Sequence, residues 1–369
     1  MSHSAPDPWS PLNNLLAEGC RQEVYTAAVA AVGLKGELQW EGAVGRVSRN
    51  LQAAPVTPET LFDLASLTKP LATALALMVL AARGNFTLET TLGEMIREDW
   101  LSPDKRSLNL KTLLAHQAGL PAWRPFYEVL LAAPPPERAG LAARLAAATP
   151  LEYSPGTQTL YSDLGYMLLQ TAVEKAGGRD LDAFCRGEIY RPLGLPRLGF
   201  CPRRQPGGDS LSYAATEEGL IPGRKISGEV HDENAWAAGE VAGHAGLFGA
   251  AGEVFQLMSY LYRAYRGETV GPLVPEVVRL FFTPVAAGGR TPGFDTPGAD
   301  RAVSSAGRFF SARSVGHLGF TGASFWLDLE QGQMVVLLTN RVRLGRDDKS
   351  KIQGFRPRFH EAASKALGQ

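Results

Sequence analysis

The run from Pro70 to Ala82, PLATALALMVLAA, constrains this chain most. It holds thirteen residues without a charge, bounded by Lys69 and Arg83. A membrane-crossing helix needs about 20 such residues. The run is too short for that and too apolar for a surface helix, so it predicts a helix buried on all sides by the rest of the fold. At 369 residues the chain is long enough to supply that enclosure, with a large core and two domains.

Composition narrows the function classes. Lys and Arg number 37, Asp and Glu also 37, and no Lys/Arg-rich run breaks the balance. The electrostatic footprint of a nucleic-acid binder is therefore missing. The 40 Gly and 25 Pro are scattered as turn signals without a repeat, which excludes a collagen-like or low-complexity chain. Cys20, Cys185 and Cys201 are odd in number and widely spaced, forming neither a metal pair nor a disulfide framework. A reducing compartment is the simpler reading. Met1 to Leu12 carries three prolines and no apolar signal core. The expectation is a cytoplasmic protein, or a periplasmic or extracellular one if a signal was removed.

Periodicity places the elements. Residues 8–20 have helical spacing, and Val24–Val32 and Glu37–Val47 read as strands joined at Gly33-Leu34-Lys35-Gly36. From Thr68 to about residue 270 the pattern is mainly helical, with the clearest helices at 71–82, 110–115, 139–148, 166–176 and 256–265. The last third returns to strands, a hairpin of 322–329 and 333–340, and closes on a helix over 353–367. Strands at both ends with helices between them predict an α/β sheet domain built from both termini around a helical insertion. The expected boundaries are 1–75 with 300–369 for the sheet domain and 76–299 for the helical one, with the active site between them.

The chemistry concentrates at Ser66-Leu67-Thr68-Lys69, immediately before the apolar run. A Ser and a Lys three residues apart share one face at a helix start. The helix N-terminus offers free N–H groups for an oxyanion. A Lys in apolar surroundings loses solvation, and its pKa is expected to fall toward that of a useful base. Ser-x-x-Lys alone is a weak signal, equally consistent with an N-cap and a snorkelling lysine. A second copy, Ser102-Pro103-Asp104-Lys105, reads as a solvated turn. Two further elements change the balance. Tyr161-Ser162-Asp163 precedes a helical run, and His317-Leu318-Gly319-Phe320-Thr321-Gly322 opens the strand that ends near Asp328. His244-Ala245-Gly246 competes for the last place but is not followed closely by a strand pattern.

In this order and spacing the three elements resemble the serine β-lactamase and penicillin-binding-protein superfamily, nearest to its class C β-lactamase, D,D-peptidase and esterase branch. That family carries SxxK, then YxN, then K-T-G or H-x-G. Leu113–Pro121, Val230–Ala235, Gly243–Phe248 and Val335–Arg341 look like further segments of it, and the resemblance spans about residues 20–367. It implies an α+β fold, an antiparallel sheet flanked by helices with a mainly helical inserted domain. By the resemblance Ser66 is the acyl-forming nucleophile, and Lys69 and Tyr161 share the base and acid work. The backbone N–H groups of Ser66 and Phe320 form the oxyanion hole. His317, with Gly319 beside it, stands where the family commonly has Lys and lines the pocket, and Trp123 faces substrate. Asp163 departs from the family's Asn: an ionised Asp only accepts hydrogen bonds, so the donor for amide recognition is gone. By the same analogy its charge is expected close to Lys69 and Tyr161, raising the pKa of both.

No cofactor and no metal are implied. His231, Asp232, Glu233 and His244 offer ligand types without a metal-site spacing, and are expected to order the rim of the site by hydrogen bonds. His116 reads as a structural histidine, Trp236 and Trp326 as core. Gly246, Gly249 and Gly252 precede no βαβ unit, and there is no G-x-S-x-G elbow. The expected partner is a small-molecule ester, amide or β-lactam-like substrate, with no nucleic acid, no membrane span and no implied oligomeric state. The expected function is an SxxK serine hydrolase of esters or amides. A D-Ala-D-Ala carboxypeptidase or β-lactamase, or a non-catalytic binding module on the same fold, are the alternatives.

Overall fold

The computed structural model describes residues 7–50, 52–219, 221–286, 289–298, 300 and 304–369. Its main sheet is antiparallel throughout and draws on both ends of the chain. The strands are β1 (Ala27–Leu34), β2 (Glu37–Gly45), β6 (Ser314–Leu318), β7 (Ser324–Asp328) and β8 (Gln333–Thr339), in the order β2-β1-β8-β7-β6. A smaller sheet, β3 (Phe62–Asp63), β5 (Leu247–Gly249) and β4 (Gly199–Phe200), lies in the middle of the chain with β5 central.

The strand sequences follow from where the sheet lies. In β1, Ala28, Ala30 and Val32 pack with Leu12, Leu16, Phe355 and Phe359, from the helices Ser10–Arg21 and Ser350–Ala366. Ala27, Val29 and Ala31 face the other way, toward Phe255 and Leu257 of the helix Ala251–Tyr265. A strand covered on both faces has no polar side, so β1 reads AAVAAVGL and β8 reads QMVVLLT. β2 lies at the edge, and most of its residues are exposed or half-buried. The β1–β2 turn places Lys35 at φ 54° and Gly36 at φ 93°, the paired left-handed conformation that suits the twist of a two-residue hairpin loop.

The apolar run is the core helix its composition demands. One continuous helix, Ala65–Ala82, is long and apolar enough to cross a membrane, and 83% of it is buried inside the protein. It opens as a 3₁₀ turn (Ala65–Leu67), widens into a π-helical stretch (Lys69–Ala74) and becomes α-helical from Leu75. Pro70 is the second residue of the π-helical stretch, close to where the helix begins and proline is best tolerated. A π-stretch directly after the expected nucleophile is a common companion of function.

Two strand readings differ from expectation. His317 does not open a strand running to Asp328. It lies near the end of β6, which folds back on β7 with His317 opposite Phe325. Gly319-Phe320-Thr321-Gly322 is the bend between them, with Gly322 at φ 100°. A strand also does follow His244-Ala245-Gly246 at once, as β5, too short at three residues to show a period.

Gly322 has a second constraint. A Cβ on it would sit 2.0 Å from Thr339 Oγ1 of β8. Gly322→Ala is therefore expected to cost about 1–3 kcal/mol beyond the penalty of its left-handed backbone. Gly156→Ala, at φ 82° but with open space around its Cβ, carries only the backbone penalty. Denaturant unfolding of the two variants separates the terms, and equal losses would show that the Thr339 contact yields freely.

Candidate active site

The site begins with a strained turn. Ala65 is held at φ 48°, a conformation an alanine rarely adopts, and this presents Ser66 at the head of the core helix. Asp63, fully buried, makes the turn hold. Its Oδ1 accepts from Ala65 N at 2.8 Å and its Oδ2 from His231 N at 2.6 Å. Its backbone carbonyl accepts from Thr321 Oγ1 at 2.9 Å. Burial raises the Asp63 pKa, and the two backbone N–H bonds oppose that rise. Thr68 Oγ1 closes the turn on Ala65 O and accepts from Leu247 N.

Lys69 lies beneath Ser66, its side chain entirely buried. Its ammonium donates to Ser66 Oγ at 3.1 Å and to the His244 carbonyl at 3.1 Å. Asp163 Oδ1 is 2.7 Å away, an ion pair whose angle is poor for a hydrogen bond. Burial works to lower the Lys69 pKa, as the sequence suggested. The Asp163 carboxylate, with Tyr161, outweighs it and holds the ammonium above lysine's ordinary value. The easily deprotonated lysine expected from its own segment is thus corrected, whereas the rise expected from an Asp163 carboxylate beside it holds.

Tyr161-Ser162-Asp163 is pinned by the loop ahead of it. Ser162 N donates to His116 Nδ1 at 3.0 Å, Ser162 Oγ to Pro121 O at 2.6 Å, and Asp163 N to Ala122 O at 2.9 Å. Ser162 also caps the helix Asp163–Gly177 by accepting from Gly165 N. His116 is the structural residue expected: buried, stacked 4.4 Å from the Tyr161 ring, its pKa lowered by burial and by the cations nearby. The Tyr161 hydroxyl is buried beside Lys69 and Ser66 but aligned with neither. Burial raises its pKa, and Lys69 pulls the other way.

Ser66, Tyr161 and Asp163 open onto a cleft of about 380 Å³, lined also by Trp123, Phe320, His231, Asp232, Glu233 and Arg346. Trp123 and Phe320 are exposed at 40% and 36%, aromatic surfaces on the rim. Among the described residues neither Ser66 N–H nor Phe320 N–H has a hydrogen-bond partner, and both residues line this cleft. Gly319 lies buried behind that pair. A Cβ there would meet Leu64 O at 2.8 Å, so only glycine lets the β6–β7 bend approach the Ser66 turn this closely.

His317 lies elsewhere than expected. It is 1% exposed and does not line the cleft; its ring sits 5.9 Å from that of Tyr161. Nδ1 donates to Leu318 O in the tautomer this contact requires, and burial lowers its pKa to about 4. Asp295 and Arg290, an ion pair, stand behind it, with Arg290 5.3 Å over the Tyr161 ring. The rim residues are bound to each other. His231 Nε2 pairs with Glu217, and His244 Nε2 with Asp232 at 3.0 Å. Burial works to raise the Asp232 pKa, but His244 overrides it and holds Asp232 well below the usual carboxylate range. Arg346 bridges Glu217 and Glu233. Among the described residues no three His, Cys, Asp or Glu side chains converge as a metal site.

The second SxxK does not form a pair. Ser102 Oγ donates to Ala147 O while Lys105 binds Asp104. Lys105 is 1% exposed, so the segment is not the solvated turn expected. Trp326 is core, and Trp236 half-buried on Glu229. Arg346, Asp63, Arg290 and Asp295 went unread in the sequence. None sits in a recognisable motif, and only folding brings them to the site.

With this geometry in place, comparison with known proteins is informative. Residues 12–354 match the Beta-lactamase family. An Escherichia coli O157:H7 protein provisionally named D-alanyl-D-alanine carboxypeptidase is 33% identical over 357 residues, 91% of this chain and 79% of that one. A Bacillus subtilis protein named N-acetylmuramyl-L-alanine amidase is 31% identical over 314 residues, covering 78% and 69%. The structure of a penicillin-binding-protein homologue from Caulobacter crescentus superposes with a TM-score of 0.74 over 99% of both chains at 18% identity, a likeness of fold. By match length and by identity, the chain belongs to the Beta-lactamase family, hydrolases of the serine β-lactamase and penicillin-binding-protein superfamily.

Proposed function

We propose that the protein is a serine hydrolase that forms an acyl-enzyme on Ser66 and hydrolyses an ester or amide. The observation that carries this reading is the buried Lys69 ammonium 3.1 Å from Ser66 Oγ, in a cleft whose Ser66 and Phe320 N–H groups are both unpartnered. In the reaction, Ser66 Oγ attacks the carbonyl carbon as its proton passes to Lys69 in the neutral form, with Tyr161 sharing the transfer. The oxyanion lies against the N–H groups of Ser66 and Phe320. The same base returns the proton to the leaving group as the C–O or C–N bond breaks. Water then attacks the acyl-enzyme by the reverse path and frees Ser66. A pure binding module has no use for a nucleophile with two ionisable neighbours.

Ser66→Ala is expected to reduce turnover to background with the fold intact, since only Oγ is lost, while Ser102→Ala changes nothing. Intact mass after treatment with a fluorophosphonate shows the adduct on wild type and not on Ser66→Ala. Equal hydrolysis by the two would end the proposal.

The relatives' names raise D-Ala-D-Ala peptides and muramyl amides as substrates, and the cleft bears on the choice. A peptide with a free carboxylate beside the scissile bond needs a cation to meet it. The cleft lining offers Arg346, already bound to Glu217 and Glu233, and sets Asp163, Asp232 and Glu233 around it. His317, where the family commonly has Lys, is neutral and buried. We assign the enzyme to esters and amides without that carboxylate. Nitrophenyl esters, nitrocefin and a D-Ala-D-Ala peptide assayed side by side are expected to give kcat/KM highest for the ester. A clear preference for the peptide would reverse the assignment.

The pH dependence follows from Asp163. Lys69 must be neutral to accept the Ser66 proton, and Asp163 favours its charged form. Activity therefore rises with pH through the raised ionisation of the coupled group. Asp163→Asn removes the anion at nearly constant volume, so the acidic limb of kcat/KM is expected to move to lower pH. An unmoved limb, or one displaced upward, would show that another anion holds the proton.

A further inference from the structure

The bend carrying Phe320 is anchored with unusual completeness on the side away from the cleft. Five successive carbonyls, those of residues 319–323, accept hydrogen bonds. Gly319 O accepts from Arg356 Nη2 at 2.7 Å, Gly322 O from Arg356 Nε at 3.2 Å and Ala323 O from Arg356 Nη2 at 2.9 Å. Phe320 O accepts from Arg341 Nε at 2.9 Å, and Thr321 O from Arg341 N and Thr339 Oγ1. Arg356 belongs to the closing helix Ser350–Ala366 and is 6% exposed. Among the described residues no carboxylate lies within ion-pair distance of it, and burial pulls its pKa down to about 9. A buried cation answered only by carbonyls is costly to keep.

We infer that Arg356 is a positioning residue for the reaction, setting the Phe320 N–H as an oxyanion donor by holding the carbonyl of the same peptide unit. The inference rests on the acyl-enzyme reading above. Gly319 O and Phe320 N–H share one planar trans peptide, in which the two groups point in opposite directions. A guanidinium fixed on the oxygen therefore aims the hydrogen the other way, away from the closing helix, and Phe320 and Ser66 line the same cleft. The positive charge also draws electron density toward the oxygen, which strengthens the N–H as a donor. Gly319, with no side chain, lets the peptide lie against Leu64 O, and Arg356 at 2.7 Å shares with Gly322 N at 3.0 Å the Gly319 carbonyl that sets which way it faces.

The test separates aiming from general support. A thionoester places a weakly accepting sulfur where an ester has the carbonyl oxygen, so it benefits less from oxyanion donors. Wild type and Arg356→Met are compared on an ester and its thionoester. On the ester, kcat of the variant is expected to fall about tenfold or more with KM within about twofold, since losing one such donor outright costs about 10²–10³. The thionoester should fall less, so that the ester-to-thionoester ratio of kcat drops about tenfold. A purely structural role predicts equal losses on both substrates, and an unchanged ratio overturns the inference. If Arg356→Met does not fold, Arg356→Lys decides. It keeps the charge but lacks the planar fork that spans three carbonyls, and it should lower the ratio by a smaller factor, while a wild-type ratio in the folded variant again overturns the inference. Fluorophosphonate labelling of Ser66 distinguishes the two levels. A wild type that does not label removes the acyl-enzyme reading itself. One that labels but turns over ester and thionoester alike removes the oxyanion role of Phe320, and Arg356's with it.

Discussion

The buried ion pair of Lys69 and Asp163 is the constraint that the rest of the site depends on. An ammonium taken wholly out of water must be answered on every side or it will shed its proton. Here the answers come from its own turn, through Ser66 Oγ, and from two remote stretches: Asp163 at the head of a helix nearly a hundred residues on, and the His244 carbonyl before β5. Bringing them together requires the Gly243–Phe248 segment to lie along the core helix, which Thr73 secures by donating to Gly243 O at 2.6 Å. It also requires the Tyr161–Asp163 segment to dock on the 116–122 loop, through His116 and Pro121. The lysine thus fixes how the middle of the chain folds around the helix that carries it.

Asp63 has the corresponding role for the nucleophile. A left-handed alanine costs about 1–3 kcal/mol, and such a residue survives only where its surroundings over-determine it. Asp63 binds the Ala65 turn, the His231 segment and Thr321 of the β6–β7 bend at once. One buried residue therefore ties together the nucleophile and the rim of the cleft through its carboxylate, and the bend that carries Phe320 through its backbone carbonyl. The strain at Ala65 and the position of Phe320 share an anchor, so neither can relax without moving the other.

Much of this was legible in the sequence, for reasons that differ by element. The core helix was readable because thirteen apolar residues leave no exposed face. β1 and β8 were readable because strands buried on both sides repeat Ala, Val and Leu without interruption. Helical spacing put Ser66 and Lys69 on one face, the two further motifs singled them out from the second SxxK, and the 3.1 Å between them agrees. β5 and β6 were missed because three and five residues do not show a period, and because the Gly-rich bend at 319–322 looked like the start of one strand. The Lys69 ionisation could not be read from its own segment, which points to a lowered pKa; its sign was legible only through Asp163, whose motif position places a carboxylate beside it. His317 was read as a pocket residue by motif position, whereas the register of β6 against β7 turns it inward beside Tyr161. Arg356 and Arg346 had no sequence signal at all, being ordinary arginines whose meaning is the carbonyls and carboxylates they meet.

The two N–H groups proposed as oxyanion donors, those of Ser66 and Phe320, are left unpaired by opposite structural circumstances. The Ser66 N–H is unpaired because it opens a helix, where the first N–H groups have no carbonyl to reach. It needs no further device, only the strained Ala65 that aims it. The Phe320 N–H lies in a hairpin bend, where a free peptide would turn to satisfy itself within the loop or with water. Leaving it unpaired requires that every neighbouring carbonyl already be committed elsewhere, and residues 319–323 meet that condition. The donors behind them come from β8, from Arg341 just past its end, and from the closing helix. The C-terminal third of the chain therefore does more than complete the sheet: it fixes the half of the site that a helix start cannot supply.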